Sequence, residues 1–195
     1  MTMQRETRSS DTHEDVVIGG AVVTSTAAKA LAALRIATGL VFFWAFLDKA
    51  FGLHYATSSA KSWINGGSPT KGFLSSVEVG PLSSTFHSMA GDTWVNWLFM
   101  LGLLGIGIGL IAGVALRITA LTGALMMAMM WLAEFPLAQH TNAGEPSGSS
   151  NPLMDSHLIY AIVMVVLAAT YAGNTWGLGK LWARLPFVNQ HRWAL

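Results

Sequence analysis

The sequence contains no cysteine. The chain therefore cannot form disulfides, use a thiolate nucleophile, or hold zinc or an iron–sulfur cluster through cysteine ligands. Any sulfur or redox chemistry must then come from a substrate, a cofactor or another subunit.

Charged side chains are also scarce, at 11% of the 195 residues, against about 25% in an average soluble protein. Hydrophobic residues make up 52% of the chain, and its mean hydropathy is +0.48. A soluble protein of this length could not bury so much apolar sequence, so we predict an integral membrane protein. The net charge of +1, with no basic cluster, argues against a nucleic-acid partner.

The longest weakly charged stretch, 94–135, contains only Arg117 and Glu134 as charged residues. As one helix it would reach roughly 63 Å, about twice the thickness of a bilayer's hydrocarbon core. A charge is costly at the bilayer centre and tolerated at the interface, so Arg117 is predicted to mark a turn between two spans.

The hydrophobic pattern predicts an all-α, four-transmembrane-helix bundle with both termini in the cytoplasm. The predicted membrane domain covers residues 27–175, with an amphipathic cytoplasmic tail at 176–195 and a cytoplasmic N-terminal tail, disordered and then briefly interfacial, at 1–26. The predicted spans are 27–51, 94–113, 115–135 and 155–173.

A long connection rich in Gly and Ser, 52–93, separates the first two spans. Loops of this length are often functional, so we expect a lid over one end of the bundle, with short interfacial helices at 56–64 and 82–90. Eight basic residues lie on the side of the termini and three on the lid side, which predicts a multi-pass bacterial plasma-membrane protein with an external lid.

Three features of the spans have alternative interpretations. Arg35 and Lys49 lie on one face of the first span, about 21 Å apart. They either extend to the two interfaces or face the interior with Asp48 or another carboxylate as counter-ion. The glycines at 105, 109 and 113 predict close helix packing rather than a nucleotide-binding motif. The methionines at 126, 127, 129 and 130 predict packing rather than haem ligation.

Histidines do not indicate a metal centre, because His54, His87, His140 and His157 lie scattered with no ligand spacing. We therefore expect no metal or haem. Near the start of the fourth span, Asn151, Asp155 or Ser156 is a candidate helix N-cap.

Several short blocks, in this order, resemble the DoxX/DoxD family of membrane proteins over about residues 30–190. The closer likeness is to the DoxD-like branch, the large subunit of thiosulfate:quinone oxidoreductase. The blocks are Leu34-Arg35-Ile36 with Gly39, Asp48-Lys49, residues 61–67, Gly72-Phe73-Leu74, residues 102–117, residues 151–157 and residues 172–179.

The resemblance implies a membrane-embedded oxidoreductase subunit that passes electrons from thiosulfate or a related sulfur compound to a membrane quinone at the outer face. The expected partners are the lipid bilayer, a separate small oxidase subunit or soluble redox or sulfurtransferase protein, and a second copy of the chain. The candidate catalytic residues are Lys49, Asp48, Asp155, His157 and Glu134, and the candidate substrate-binding residues are Arg35, Trp63, His87 and Asn151.

In this hypothesis Lys49 and the histidines contact the anion, and the carboxylates accept protons. Helix capping is the alternative role for Asp155 and Asn151. The lid side carries three basic and six acidic residues, so its net charge does not attract a dianion. The alternative function is a non-enzymatic membrane anchor that assembles redox or sulfur-transfer proteins, motivated by the glycines and the amphipathic tail. A transporter is a weaker third hypothesis, because no inverted repeat is visible.

Overall fold

The computed structural model describes residues 15–18 and 21–195. Most of the predicted N-terminal tail, residues 1–14, lies outside this range. Before the first helix the chain forms an antiparallel hairpin of β1 (Asp15–Ile18) and β2 (Ala21–Thr24), with Asp15 paired to Thr24. The hairpin lies in the segment predicted to be interfacial, which stays a prediction, and its Val, Ile and Thr residues favour extended backbone.

From Ser25 onward the regular elements of the described chain are helices, apart from one isolated β-bridge between His140 and Pro146. Three helices are long and apolar enough to cross a membrane: α1 (Ser25–Phe51), α4 (Thr93–Ala112) and α5 (Leu116–Glu134). Between α1 and α4 lie two short helices, α2 (Lys71–Ser75) and α3 (Ser83–Met89). These bounds confirm the first three predicted spans to within two residues.

The fourth predicted span is shorter than expected. Helix α6 (Ser156–Ala169) has 14 residues, or about 21 Å of helix. It ends because Thr170 leaves the helical conformation and Tyr171 adopts a left-handed backbone with φ of 50°, before a 3₁₀ turn at Ala172–Asn174. The bundle therefore contains three full-length spans and one short helix.

The four bundle helices α1, α4, α5 and α6 alternate in direction, so each end of the bundle collects residues from all of them. Helix α1 packs most extensively against α4, and α5 against α6. We call the end formed by Phe51, Thr93, Glu134 and Ser156 the lid end, and the opposite end the turn end. The core between the helices includes Phe42, Met100, Leu103, Ile106, Leu110, Met127, Met164 and Leu167.

Glycines allow α1 and α4 to approach closely, but not in the predicted row. A Cβ on Gly107 would lie 2.8 Å from the backbone nitrogen of Phe43, and one on Gly39 would lie 2.9 Å from the backbone nitrogen of Ile111. Of the predicted row, Gly109 faces Thr119 and Gly113 contacts Gly173, whereas Gly105 faces open space. The i+4 spacing correctly predicted close packing at Gly109 and Gly113. The contact between α1 and α4, however, depends on Gly39 and Gly107.

Replacing Gly107 by alanine should destabilise the bundle, because the added methyl group meets backbone atoms of Phe43 that cannot rotate away. We expect a loss of about 1–3 kcal/mol, as for other overpacked cores. Gly105→Ala is the matched control, and it should be neutral or stabilising by up to about 1 kcal/mol, since alanine favours helix. Thermal unfolding in detergent measures both, and equal shifts would contradict the packing argument.

The connection 52–92 folds over the lid end, as predicted. Leu74, Val77 and Phe86 from the lid form a small apolar cluster with Val95 of α4 and Ala133 of α5. The expected helix at 82–90 is present as α3, but the expected helix at 56–64 is replaced by 3₁₀ turns at Ser59–Lys61 and Trp63–Asn65.

The C-terminal segment folds back against the turn end as α7 (Gly179–Trp182), α8 (Pro186–Gln190) and a 3₁₀ turn at Arg192–Ala194. Trp182 Nε1 donates to the carbonyl of Ala194 at 2.7 Å, and the side chain of Val188 is buried. This segment is therefore a packed part of the domain.

Candidate functional site

A cavity of about 810 Å³ lies at the lid end between the helices and the lid. Its walls come from α1, α4, α5, α6 and the lid, and most of them are apolar. The methionines at 126, 127, 129 and 130, which the sequence indicated only for packing, all line it. Cavities that bind small organic molecules have this size and this mainly apolar lining. The polar lining residues include Lys49, Thr70, Thr122, Ser156, His157 and Tyr160.

The cavity reaches the surface of the bundle along α4 and α5, and we call this part its mouth. Its lining includes Leu98 and Leu101 of α4 and Leu125 and Met129 of α5, and all four side chains are exposed on the surface of the bundle. Exposed apolar side chains on membrane-spanning helices face lipid. The mouth therefore connects the cavity with the hydrocarbon phase of a membrane.

Lys49 lies near the lid end of α1 and lines this cavity. Its side chain is half-buried. Within residues 24–195 no carboxylate oxygen lies within 4.0 Å of its Nζ. The ammonium group therefore keeps its hydrogen-bond donors for a ligand or for water.

The same cavity is also lined by His157, in the first turn of α6. Its Nδ1 lies 2.7 Å from Asp155 Oδ2 and 3.7 Å from Glu134 Oε2. Because the Asp155 carboxylate accepts this hydrogen bond, Nδ1 carries the hydrogen, and Nε2 is the ring nitrogen left for a ligand. A carboxylate in this position orients the ring and fixes its tautomer.

Asp155 has two structural roles at once. Its Oδ1 accepts a hydrogen bond from the Leu158 backbone N–H at 3.1 Å, so it is the N-cap of α6. Burial alone would raise the pKa of Asp155, but the hydrogen bonds from the His157 side chain and from Leu158 outweigh it, so the pKa is lowered. A carboxylate whose pKa is lowered by folding stabilises the fold at pH values above its ordinary, unfolded-state pKa. This contribution disappears as the pH falls through the lower, folded-state pKa.

Asn151 is not the cap of α6. Its Oδ1 accepts hydrogen bonds from the backbone N–H groups of Leu153 and Met154, which closes a local turn before the helix. Its side chain is exposed and does not line the cavity. The capping explanation that the sequence offered therefore applies to Asp155, and Asn151 shapes the approach to it.

Two other predicted site residues hold the backbone instead of facing the cavity. Asp48 is buried and accepts hydrogen bonds from the backbone N–H groups of Tyr55 and Ala56, at 3.2 and 2.9 Å, so it fixes the start of the lid. Arg35 is buried at the turn end, at the other end of α1. The structure therefore separates both from the ligand cavity.

The partners of Arg35 are backbone carbonyls. Its Nη1 donates to Leu110 and Ile111 at the end of α4, and its Nη2 donates to Thr175 and Trp176 after α6. Of the two interpretations of Arg35, interior placement is correct, but carbonyl oxygens replace the expected carboxylate. The dipole of α4 explains this, since the C-terminus of a helix attracts a cation.

Trp63 and His87 belong to the lid but not to the cavity lining. The ring of Trp63 packs edge-on against Trp97, with centroids 4.6 Å apart, so it anchors the lid to α4. His87 is exposed on α3, where its neighbour Phe86 turns inward. Neither side chain lines the cavity that Lys49 and His157 share.

Several polar residues in or beside the cavity wall were not found by sequence reasoning. Tyr160 lines the cavity one turn after His157, with its ring edge-on to Phe42 at 6.0 Å. Thr70 also lines it, and its hydroxyl donates to Asn96 Oδ1 at 2.7 Å, which ties the lid to α4. A lone amide in an apolar span, such as Asn96, is a signal that could have been used, because intramembrane polar groups tend to be functional.

The cluster of Glu134, Asp155 and His157 could also hold a cation. One ligand atom from each residue lies within 4.8 Å of the others. The sequence gave no such indication, because Glu134 and Asp155 end and begin different helices with a polar loop between them. The expectation of no metal or haem stays a prediction, and metal analysis of the purified protein is its test.

Comparison with known proteins identifies the family. No curated protein and no solved structure matches the chain. The DoxX family profile matches residues 30–134, which is more than half of the sequence. The match runs from α1 to the end of α5 and stops before α6, so it includes Lys49 and Glu134 but not His157. The chain therefore belongs to the DoxX family of membrane proteins.

Proposed function

We propose that this chain is the quinone-binding, membrane-embedded subunit of an oxidoreductase, and that the quinone head group binds in the lid-end cavity. One observation carries the proposal: Lys49 and His157, which lie far apart in the sequence, line the same apolar cavity. A quinone needs donors for its carbonyl oxygens, an apolar site for its ring and a lipid-side entrance for its tail. The lid-end cavity offers all three.

The polar groups are placed for proton-coupled reduction. Reduction of a quinone consumes two electrons and two protons and yields a quinol. In the proposed mechanism Lys49 donates a hydrogen bond to one carbonyl oxygen, and His157 donates a proton at Nε2 to the other. Asp155 holds the ring in the orientation for this transfer through its hydrogen bond with Nδ1.

The ring is reprotonated at Nε2, because Nδ1 keeps its hydrogen in the bond to Asp155. The protons come from water at the lid end, where Glu134 is half-exposed and lies 3.7 Å from His157 Nδ1. In this proposal Glu134 takes protons from bulk water and passes them to water beside the ring, and the second proton follows the same route. Glu134 is thus the outer member of a short, water-linked relay whose inner member lines the cavity.

The electron donor in this proposal is thiosulfate or a related sulfur compound at the lid end. Two thiosulfate anions that couple through a new sulfur–sulfur bond release the two electrons that one quinone accepts. The support for this donor is the resemblance to the DoxD-like branch together with membership in the DoxX family. A separate small subunit or soluble partner that delivers the sulfur compound fits the same scheme.

Blocking the mouth of the cavity should weaken quinone binding. Leu125 lines the mouth and is 60% exposed, whereas Leu121, one turn away on α5, is 65% exposed and does not line it. Leu125→Trp should therefore weaken binding of a short-chain quinone by at least about tenfold, while Leu121→Trp leaves it unchanged. Quinone-dependent thermal stabilisation of the purified protein in nanodiscs measures both.

Equal binding by the two tryptophan variants, or none by the unmodified protein, would remove the quinone site and leave the accessory-anchor function as the better hypothesis. The donor has its own test in membranes that contain the folded protein, supplied with thiosulfate and quinone. If the quinone binds but its reduction stays at background, the assignment of thiosulfate is wrong and the quinone site stands.

A further inference from the structure

Charge is divided sharply between the two ends of the bundle. Within residues 24–195, every carboxylate side chain belongs to the lid, the loop before α6 or the lid ends of α1, α5 and α6. The sequence from 156 to 195 contains no Asp or Glu, but its tail carries Lys180, Arg184 and Arg192, all exposed. The turn end is therefore a basic surface.

The tail is held rigidly at this end. The backbone N–H of Arg117 donates to the carbonyl of Leu195 at 2.8 Å, and Arg117 Nη1 donates to the carbonyl of Arg192 at 2.9 Å. Arg117 lies in the first turn of α5, and Nη2 of the same side chain donates to Tyr171 Oη just after α6. These contacts place the tail where α5 begins and α6 has ended, at the level of a membrane boundary.

Large apolar side chains on the same tail have nothing to cover them within the described chain. Leu181, Leu185, Phe187 and Trp193 are all about half-exposed. The Phe187 ring stacks on His191 with centroids 4.6 Å apart and meets Trp193 edge-on at 5.9 Å, so an aromatic cluster lies on the surface. Exposed apolar patches of this kind mark a site of interaction.

The basic and apolar side chains are arranged as in interfacial segments. Lys180 and Arg184 are one helical turn apart, and they adjoin Leu181 and Leu185, which are also one turn apart. Aromatic and leucine side chains enter the boundary between head groups and acyl chains, while neighbouring lysines and arginines reach phosphates. A protein partner would not need this placement at the height of the membrane boundary.

We propose that residues 176–195 form a binding surface for anionic phospholipids. Lys180, Arg184 and Arg192 contact the phosphates, and Phe187 and Trp193 insert between the head groups. Each basic side chain near an anionic membrane surface contributes roughly fivefold in affinity. The surface is far from the quinone cavity and does not depend on the proposed oxidoreductase function.

The lack of cysteine makes the test direct, because Asn189→Cys in the exposed part of α8 gives one site for an environment-sensitive fluorophore. The labelled full chain is placed in phosphatidylcholine nanodiscs with and without phosphatidylglycerol. The anionic lipid should raise the fluorescence, and high salt should reverse the rise. Replacing Lys180, Arg184 and Arg192 together by glutamine should remove most of the fluorescence rise. Three contributions of roughly fivefold each amount to a loss of roughly 100-fold in affinity for the anionic lipid.

The matched control replaces Lys61 and Lys71, exposed basic residues of the lid, by glutamine, and should leave the response unchanged. A thermal unfolding curve shows that each variant is folded. An identical signal in the two lipid compositions, or an unchanged response in the triple variant, would overturn the proposal. Equal displacement by free inorganic phosphate would also overturn it, since the surface would then bind an ion and not a membrane.

Discussion

His157→Gln should lower quinone reduction by about 10²–10⁴-fold, the usual contribution of a positioned proton donor. Glutamine has similar size and keeps a hydrogen-bond donor, but it cannot deliver a proton. Binding of the quinone should therefore change much less than its turnover. Single-turnover reduction and quinone binding, measured on the same nanodisc preparation, separate the two effects.

The matched control is His140→Gln, because His140 is exposed in the loop before α6 and does not line the cavity. Its turnover should equal that of the unmodified protein. Asp155→Asn adds a second comparison, since asparagine can still cap α6 but no longer offers the carboxylate that orients the His157 ring. If both His157→Gln and Asp155→Asn bind quinone and reduce it at the normal rate, the proton relay is wrong even though the cavity remains.

Arg35→Met should destabilise the fold strongly. The guanidinium is fully buried and donates hydrogen bonds to four backbone carbonyls from two separate segments. Methionine fills part of the space but leaves the carbonyls of Ile111, Thr175 and Trp176 without their donor, and each unpaired buried group costs about 1–3 kcal/mol. We therefore expect a loss of roughly 3–5 kcal/mol in the free energy of unfolding, comparable to breaking other buried charged networks.

Lys29→Met, on the same helix but exposed, is the matched control and should change stability by no more than about 0.5 kcal/mol. Thermal unfolding in detergent and the yield of folded protein measure both variants. A normally stable Arg35→Met protein that has lost substrate binding would restore the sequence-based assignment of Arg35 to the substrate site. Arg35→Lys should recover little, because lysine cannot reach both segments with one planar fork.

The three long spans could be predicted from the sequence because membrane insertion depends on local properties. Twenty apolar residues and an absence of charge are enough, and α4 and α5 begin and end close to the predicted positions. The end of α6 was harder to predict. The predicted span runs to residue 173, but the helix ends at Ala169, just before the left-handed backbone of Tyr171. Hydropathy reports the solvent that a segment prefers, but not the backbone conformation within it.

The candidate site was only partly predictable for a related reason. Lys49, His157, Asp155 and Glu134 were identified as ionisable residues near one end of an apolar bundle, and the structure brings the last three together and places Lys49 on the same cavity. Asp48 and Arg35 had the same signature in the sequence. Their side chains form hydrogen bonds with backbone groups instead. The residue pattern alone cannot distinguish this structural role from binding a ligand.

The sequence by itself determined that this protein lies in a membrane and where its three long spans begin and end. It also showed which ionisable side chains lie in apolar segments, where their free-energy cost suggests a function. The family match confirms its membership of the DoxX proteins. Only the tertiary structure decided which of those side chains face a common space, because that depends on how four helices are rotated about their axes. The cavity and the basic tail are therefore results of packing between distant segments.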